Sequence, residues 1–404
     1  MRELILGWIL VHPKKTLFTS LFLFLIFLPG LLCLRIDFSY RAWYLDSDPL
    51  LLNYDRFEKI FGNDDTVVIG IKNEQGLYNP QAISLIYEIT EELWKIPGVV
   101  RVDSISNFDY LHVKGDDLEI APLVSSKDSE NLDTAFINQL KAKISNHKLI
   151  GNYLISSDEK MALVRTRLKP SLASRQENDQ IIKDINKLVS DYRFQYPNYE
   201  FDIAGTAMFI YIFKEITKSD FSLIIPVLII VFTIIQYLIF RNRFAVYIAS
   251  LAIIASALMM LGFAGYSGFF ITTVTASTPV ILLTIAIADA IHILTVYFFA
   301  IRQGHTKIEA TEYSLRKNFW PTVLTSITTA IGFLSFSNSL IRSIAELGMA
   351  VGIGVLFAWF VCYFMVGPIL VIFSKTHLKK NFTPANVEEK KFVISKRTKL
   401  FVKK

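Results

Sequence analysis

An acid and a base stand three residues apart inside an aliphatic run, Ile285-Ala286-Ile287-Ala288-Asp289-Ala290-Ile291-His292-Ile293-Leu294. Across residues 221–373 these two are the ionisable side chains that lie well inside an apolar stretch. An aspartate at the centre of a membrane-spanning helix costs roughly 3 kcal/mol of insertion free energy. A segment selected only to span would carry leucine there. The three-residue spacing puts both side chains on one helix face, within reach of each other. A carboxyl and an imidazole so placed can take up and release a proton during a cycle, which makes Asp289 and His292 the candidate proton relay. The competing reading is structural: an Asp and a His that satisfy each other and hold helices together.

A second polar stretch lies downstream. Thr322, Thr325, Ser326 and Thr329 fall at i, i+3, i+4 and i+7, one helix face. That face can hydrogen-bond Asp289 directly or through water, so the four hydroxyls are possible relay partners. Small hydroxyl residues also simply permit close helix packing. Gly348 and Gly352 form a G-x-x-x-G, and Gly332 and Gly354 are further close-packing candidates.

These residues need spans to position them. The 404-residue chain is 52% hydrophobic, but the apolar residues are concentrated in 17–34 and 221–373, while 36–220 reads as soluble protein. Runs long enough to cross hydrocarbon are Leu17–Leu34, Phe221–Phe240, Phe244–Tyr266, a stretch within Ile271–Ile301, Trp320–Phe336 and Leu347–Phe373. The first resembles a signal peptide core but is too long, and Arg35 and Asp37 follow it with no small-residue cleavage site, so an uncleaved span is expected. His305–Asn318 reads as an amphipathic helix lying along the membrane. With six spans, Lys14 and Lys15, Arg241 and Arg243, the 302–317 loop and Lys375–Lys380 share one side, while 265–270 and 337–346 carry only Arg342 and Glu346. The positive-inside rule then puts both termini in the cytoplasm and exports 36–220.

The expected organisation is therefore a cytoplasmic N-terminus (1–16), a first transmembrane helix (17–35), a periplasmic domain (36–220), transmembrane helices two to six (221–373) and a basic cytoplasmic tail (374–404). The fold class is an α-helical membrane bundle of six transmembrane helices with an inserted α+β domain. That domain reads as two small α/β units. In one, Thr66–Ile71 and Val99–Val102 pair across the helix Pro80–Trp94. In the other, Met161–Leu168, a helix Ser174–Tyr192 capped by Ser174, and Tyr199–Ile203 follow each other. His112 and His147 stand alone, with no nucleophile, metal cluster or phosphate loop beside them, so no enzyme activity, metal or cofactor is expected. The net charge of +6 falls in loops and tails beside the spans, which argues for a lipid bilayer and against nucleic acid as partner. Cys33 and Cys362 sit in apolar runs and read as small packing residues.

A-D-A-I-H-I-L at Ala288–Leu294 and P-T-V-L-T-S-I-T-T-A-I-G-F at Pro321–Phe333 resemble the resistance-nodulation-division (RND) superfamily, within it the MMPL and hopanoid-exporter group. The stretch Phe57–Asp65, the I-P-G-V-x-x-V-D-S at Ile96–Ser104 and the loop from Gly304 are similar too. The resemblance implies proton-motive-force-driven export of hydrophobic or lipid-like substrates in a bacterial inner membrane, with Asp289 at the family's fourth-span relay position and the proton gradient in place of a cofactor. Ala288 and Ala290 stand where many relatives carry a second polar group. Typical members carry two such repeats; one is present here, and Lys396–Lys404 resembles Gly7–Lys15. A second six-span half is thus the expected partner, as a downstream repeat, homodimer or heterodimer. A sterol-sensing-like receptor and an auxiliary subunit of protein export are the competing functions.

Overall fold

Six helical stretches are long and apolar enough to cross a membrane. The structure, a computed structural model, describes residues 2–374 other than 63–64, 115–116, 130–131, 146, 148–149, 152 and 170–174. The expected basic tail beyond 374 and the proposed cap Ser174 lie outside the described residues. The chain divides into two compact units: Met1–Asp48 with Ile216–Lys404, and the inserted Pro49–Glu215. The insertion is thus shorter than 36–220, because 36–48 and 216–220 belong to the bundle unit.

The bundle unit begins with α1 (Arg2–Val11), within the N-terminal segment 1–16 that precedes the first expected span. Leu6 and Ile9 of α1 are buried in the bundle core, which is why this short segment is helical. α2 (Pro13–Phe27) continues through a 3-10 turn, Leu28–Cys33, to complete the first span. A two-residue strand, β1 (Arg35–Ile36), follows.

The inserted unit opens with α3 (Pro49–Phe61) and β2 (Thr66–Lys72). α4 (Pro80–Trp94) is started by Asn79, whose side chain accepts from Ala82 N at 2.8 Å, with Pro80 pre-set for the first turn. β3 (Val99–Asp103), a hairpin of β4 (Asp109–Lys114) and β5 (Asp117–Pro122), and the helices α5 (Ser126–Ser129) and α6 (Thr134–Ser145) come next. β6 (Met161–Leu168), α7 (Arg175–Gln195) and β7 (Glu200–Ala204) close the unit.

The two expected α/β units prove to be one interleaved sheet. Its order is β3-β6-β2-β7, with every neighbour antiparallel. β2 and β3 do not pair with each other: the crossover through α4 leaves a gap one strand wide, and β6 fills it. Alternation along β6 buries Ala162, Val164, Thr166 and Leu168 on one side. α4 and α7 contribute Ile86, Ile89, Ile182 and Ile185 to the same core.

The remaining spans follow in order. α8 (Thr206–Phe240) starts within the inserted unit and continues as the second span. α9 (Arg243–Tyr266) is capped by Asn242, which accepts from Phe244 N and Ala245 N. β8 (Phe270–Ile271) pairs in parallel with β1. The Thr-rich start of the fourth segment forms a 3-10 turn (Thr275–Ser277) and then α10 (Thr278–Arg302). α11 (Lys307–Leu334) is one continuous helix with a full capping box at Thr306 and Glu309. It absorbs both the expected surface helix 305–318 and the fifth span, carrying Pro321 inside it. Buried Ala310, Ser314, Leu315 and Asn318 face neighbouring spans, so packing holds the helix together across the proline. The sixth span is α12 (Arg342–Val361), a π-helical turn (Cys362–Val366) and α13 (Gly367–Phe373).

The third, fourth and sixth spans bury half or more of their residues, and the first, second and fifth fewer than a quarter. Gly30 and Gly262 bring the first and third spans to backbone contact, since a Cβ on either would overlap the other span's backbone. Gly348 and Gly352 pack α12 on α11, and Gly354 packs α12 on α9. Gly332 faces open space instead, so it is not a packing glycine.

Candidate functional site

Asp289 lies near the middle of α10 and is buried, with 7% of its surface exposed. Helical periodicity explains this. Ala286, Ala290 and Ile293 face the buried side with it, whereas Thr284, Ala288 and His292 form an exposed stripe at four-residue spacing. A cavity of about 370 Å³ opens between α10 and α11, and Asp289 lines it. His292, Thr322, Thr325, Ser326 and Thr329 line the same cavity, so every residue singled out for proton chemistry meets there.

Their environments differ. Thr322 and Ser326 are buried, Thr329 is half-buried, and Thr325 and His292 are exposed. Asp289 Oδ2 has no hydrogen-bond partner among the described residues. A buried carboxylate oxygen left unpaired in an apolar bundle is costly, and natural structures keep such groups where they serve chemistry. No hydrogen bond or ion pair joins the Asp289 and His292 side chains among the described residues; both line the cavity from α10, Asp289 from its buried side and His292 from its exposed stripe, not as a closed pair.

Sequence reading missed two contributors. Asn318 also lines the cavity and donates from Nδ2 to His292 O (3.2 Å) and Ser314 O (3.0 Å), tying α11 to α10. Thr322 Oγ1 donates to Asn318 O at 2.8 Å, and the Tyr363 hydroxyl lies 3.0 Å from Thr322 Oγ1. Tyr363 is fully buried on the π-helical turn, stacked on Trp359 with ring centroids 4.9 Å apart. Such turns often occur at functional sites because they re-aim side chains within a helix. No spacing rule in the sequence announces one. Cys33 is exposed and Cys362 buried, both unpaired. In the inserted unit, His147 packs its ring 5.1 Å from Phe108, while the His112 side chain lies outside the described residues.

Fold and site define a helical membrane protein with six candidate spans, an α/β insertion after the first and a buried, incompletely paired acid in the fourth. The MMPL family model matches residues 51–396, and the chain belongs to that family, a branch of the RND superfamily. The chain is also similar to a membrane protein of Methanocaldococcus jannaschii, 21% identical over 339 residues that cover 82% of this chain and 83% of the relative.

Proposed function

We propose that the protein is a proton-driven exporter of hydrophobic or lipid-like molecules. Asp289 binds the coupling proton in the α10–α11 cavity, and His292 with the hydroxyls of Thr322, Thr325, Ser326 and Thr329 passes it on. The observation that carries this reading is the buried Oδ2 without a partner, beside a cavity lined by groups that exchange protons. An acid kept only to hold helices together would be paired. The basic loops support an arrangement with both termini cytoplasmic and the inserted unit exported from the cell membrane. No cofactor is required, because the gradient supplies the driving force.

The protein works as one half of a larger transporter. His292, Thr284, Thr325 and Thr328 are exposed on neighbouring spans. The three threonines donate to carbonyls of their own helices, but lipid tails offer the exposed His292 imidazole no hydrogen bond, which supports a protein partner on this face. A second six-span half is the partner that fits.

The test is reconstitution into proteoliposomes with an imposed pH gradient, reading movement of a fluorescent lipid analogue. Gradient-dependent movement lost in Asp289→Asn is the expected result. Movement that persists without the gradient, or in the variant, removes the proton from the mechanism.

A further inference from the structure

In the sequence, Arg342 and Glu346 are the charges of a short loop. In the structure they form a compact junction at the outer end of the bundle. Glu346 is buried, with 4% of its surface exposed. Its Oε1 accepts from Arg342 Nε at 2.8 Å, and its Oε2 accepts from the backbone N of Phe270 at 2.9 Å. The Arg342 guanidinium lies 4.6 Å from the Phe270 ring centre and also reaches Asp46 Oδ1 at 3.1 Å. One turn of α12 thus holds two other segments. Ser343, fully buried, adds a hydrogen bond to Ala42 O at 3.1 Å.

Each held segment leads somewhere. Phe270 O accepts from Thr275 Oγ1 at 2.6 Å, and Thr272 N donates to that same hydroxyl oxygen at 2.7 Å. Thr275 begins the turn that runs straight into α10, the helix of Asp289. On the other side, Ala42 and Asp46 belong to the connector between the first span and Pro49, where the inserted unit begins. β1, paired with β8, anchors the start of that connector. A chain of hydrogen bonds and ion pairs therefore joins the relay helix to the connector, with Arg342 and Glu346 as its middle link.

We propose that Arg342 and Glu346 are positioning residues that transmit movement of the Asp289 helix to the connector, and so couple proton binding to the exported domain. This rests on the transport reading above. Packed elements joined by short, satisfied polar contacts move as a unit, whereas a helix end held only by apolar packing can slide. Asp46 is exposed, so its ion pair with Arg342 is worth little alone, but the buried Glu346 with two partners and the buried Ser343 bond to Ala42 are expensive to break.

The experiment uses the full chain in lipid nanodiscs, with Cys33→Ala and Cys362→Ala, and an environment-sensitive fluorophore on Tyr44→Cys in the connector. Acidification is the stimulus. His292 in the same cavity, and Cys362 and Tyr363 on the sixth span within electrostatic reach of Asp289, are the neighbouring titratable groups, so Asp289→Asn isolates the response of the acid. The parent is expected to show an emission shift that Asp289→Asn abolishes. Arg342→Ala is expected to abolish it as well while Asp289 still reacts with dicyclohexylcarbodiimide at the parent rate, and Arg342→Lys restores part of it. Transport by Arg342→Ala falls about tenfold, within the usual range of coupling energies. If Arg342→Ala loses carbodiimide labelling, Glu346→Gln decides, since it keeps an acceptor for Phe270 N but loses the ion pair. A shift retained in a well-labelled Arg342→Ala or Glu346→Gln overturns the proposal, and so does a parent that shows no shift. A parent that shifts but moves no lipid under a pH gradient overturns the transport reading and leaves this one standing.

Discussion

Glu346 and Asp289, two of the buried carboxylates of the bundle unit, stand in opposite circumstances. Glu346 has a partner for each oxygen, one a guanidinium and one a backbone amide. Asp289 has an oxygen without any among the described residues and a cavity beside it. A fully paired carboxylate resists change in its protonation, because gaining a proton would break bonds it already makes. An incompletely paired one stands ready to gain or lose a proton. The contrast separates a group that holds the fold from a group that does work within it.

Removing the idle-looking acid should have the larger functional effect and the smaller structural one. Asp289→Asn is expected to reduce gradient-driven transport to background, with a thermal unfolding midpoint no lower than the parent's. A fall in stability alongside lost transport would erase the distinction. Glu346→Ala should do the reverse on stability, lowering it by about 3 kcal/mol because Arg342 and the Phe270 amide lose their shared acceptor; denaturation in mild detergent measures this. Tyr363→Phe removes the hydroxyl that meets the cavity-lining Thr322 and should cost about 1 kcal/mol, with transport slowed but still gradient-dependent. The smallest effect is expected at Glu74, fully in water. Hydrogen bonds and charge from Lys160 and then Lys72 hold its carboxyl down at about 2. A lowered value means the folded state favours the ionised form, so its stabilising contribution is complete above the ordinary carboxylate range and is lost as pH falls toward 2. Glu74→Gln should therefore shift acid unfolding of the inserted unit only slightly, and leave unfolding at neutral pH almost unchanged.

Much of this site was legible beforehand, for a simple reason. A single acid in an apolar run breaks a pattern that every neighbouring residue keeps, and the three- and four-residue spacing of Thr322, Ser326 and Thr329 is a local property. Long-range pairings were not legible. Nothing in Met161–Leu168 says that it inserts between β2 and β3, since alternation marks a strand but not its neighbour. Residues 305–318 and 320–336 read as two separate helices, yet tertiary contacts of Ser314 and Asn318 carry α11 through Pro321 as one. The junction at Arg342 escaped notice because its partners, Asp46 and Phe270, are far away in sequence. The π-helical turn that aims Tyr363 at Thr322 follows from packing, not from composition.

The close approach of Gly30 to Gly262 also bears on how the protein is made. The first span leaves the ribosome early, but the backbone groove that receives it belongs to the third span, which is synthesised only after the whole inserted unit. The most buried spans are the third, fourth and sixth, so the centre of the bundle is finished last. The first span therefore waits in the bilayer with its glycine notch unfilled until the third span is inserted, and only then can the contact at Gly30 and Gly262 close. A bulky residue at Gly30 would be tolerated during insertion and rejected at that later step.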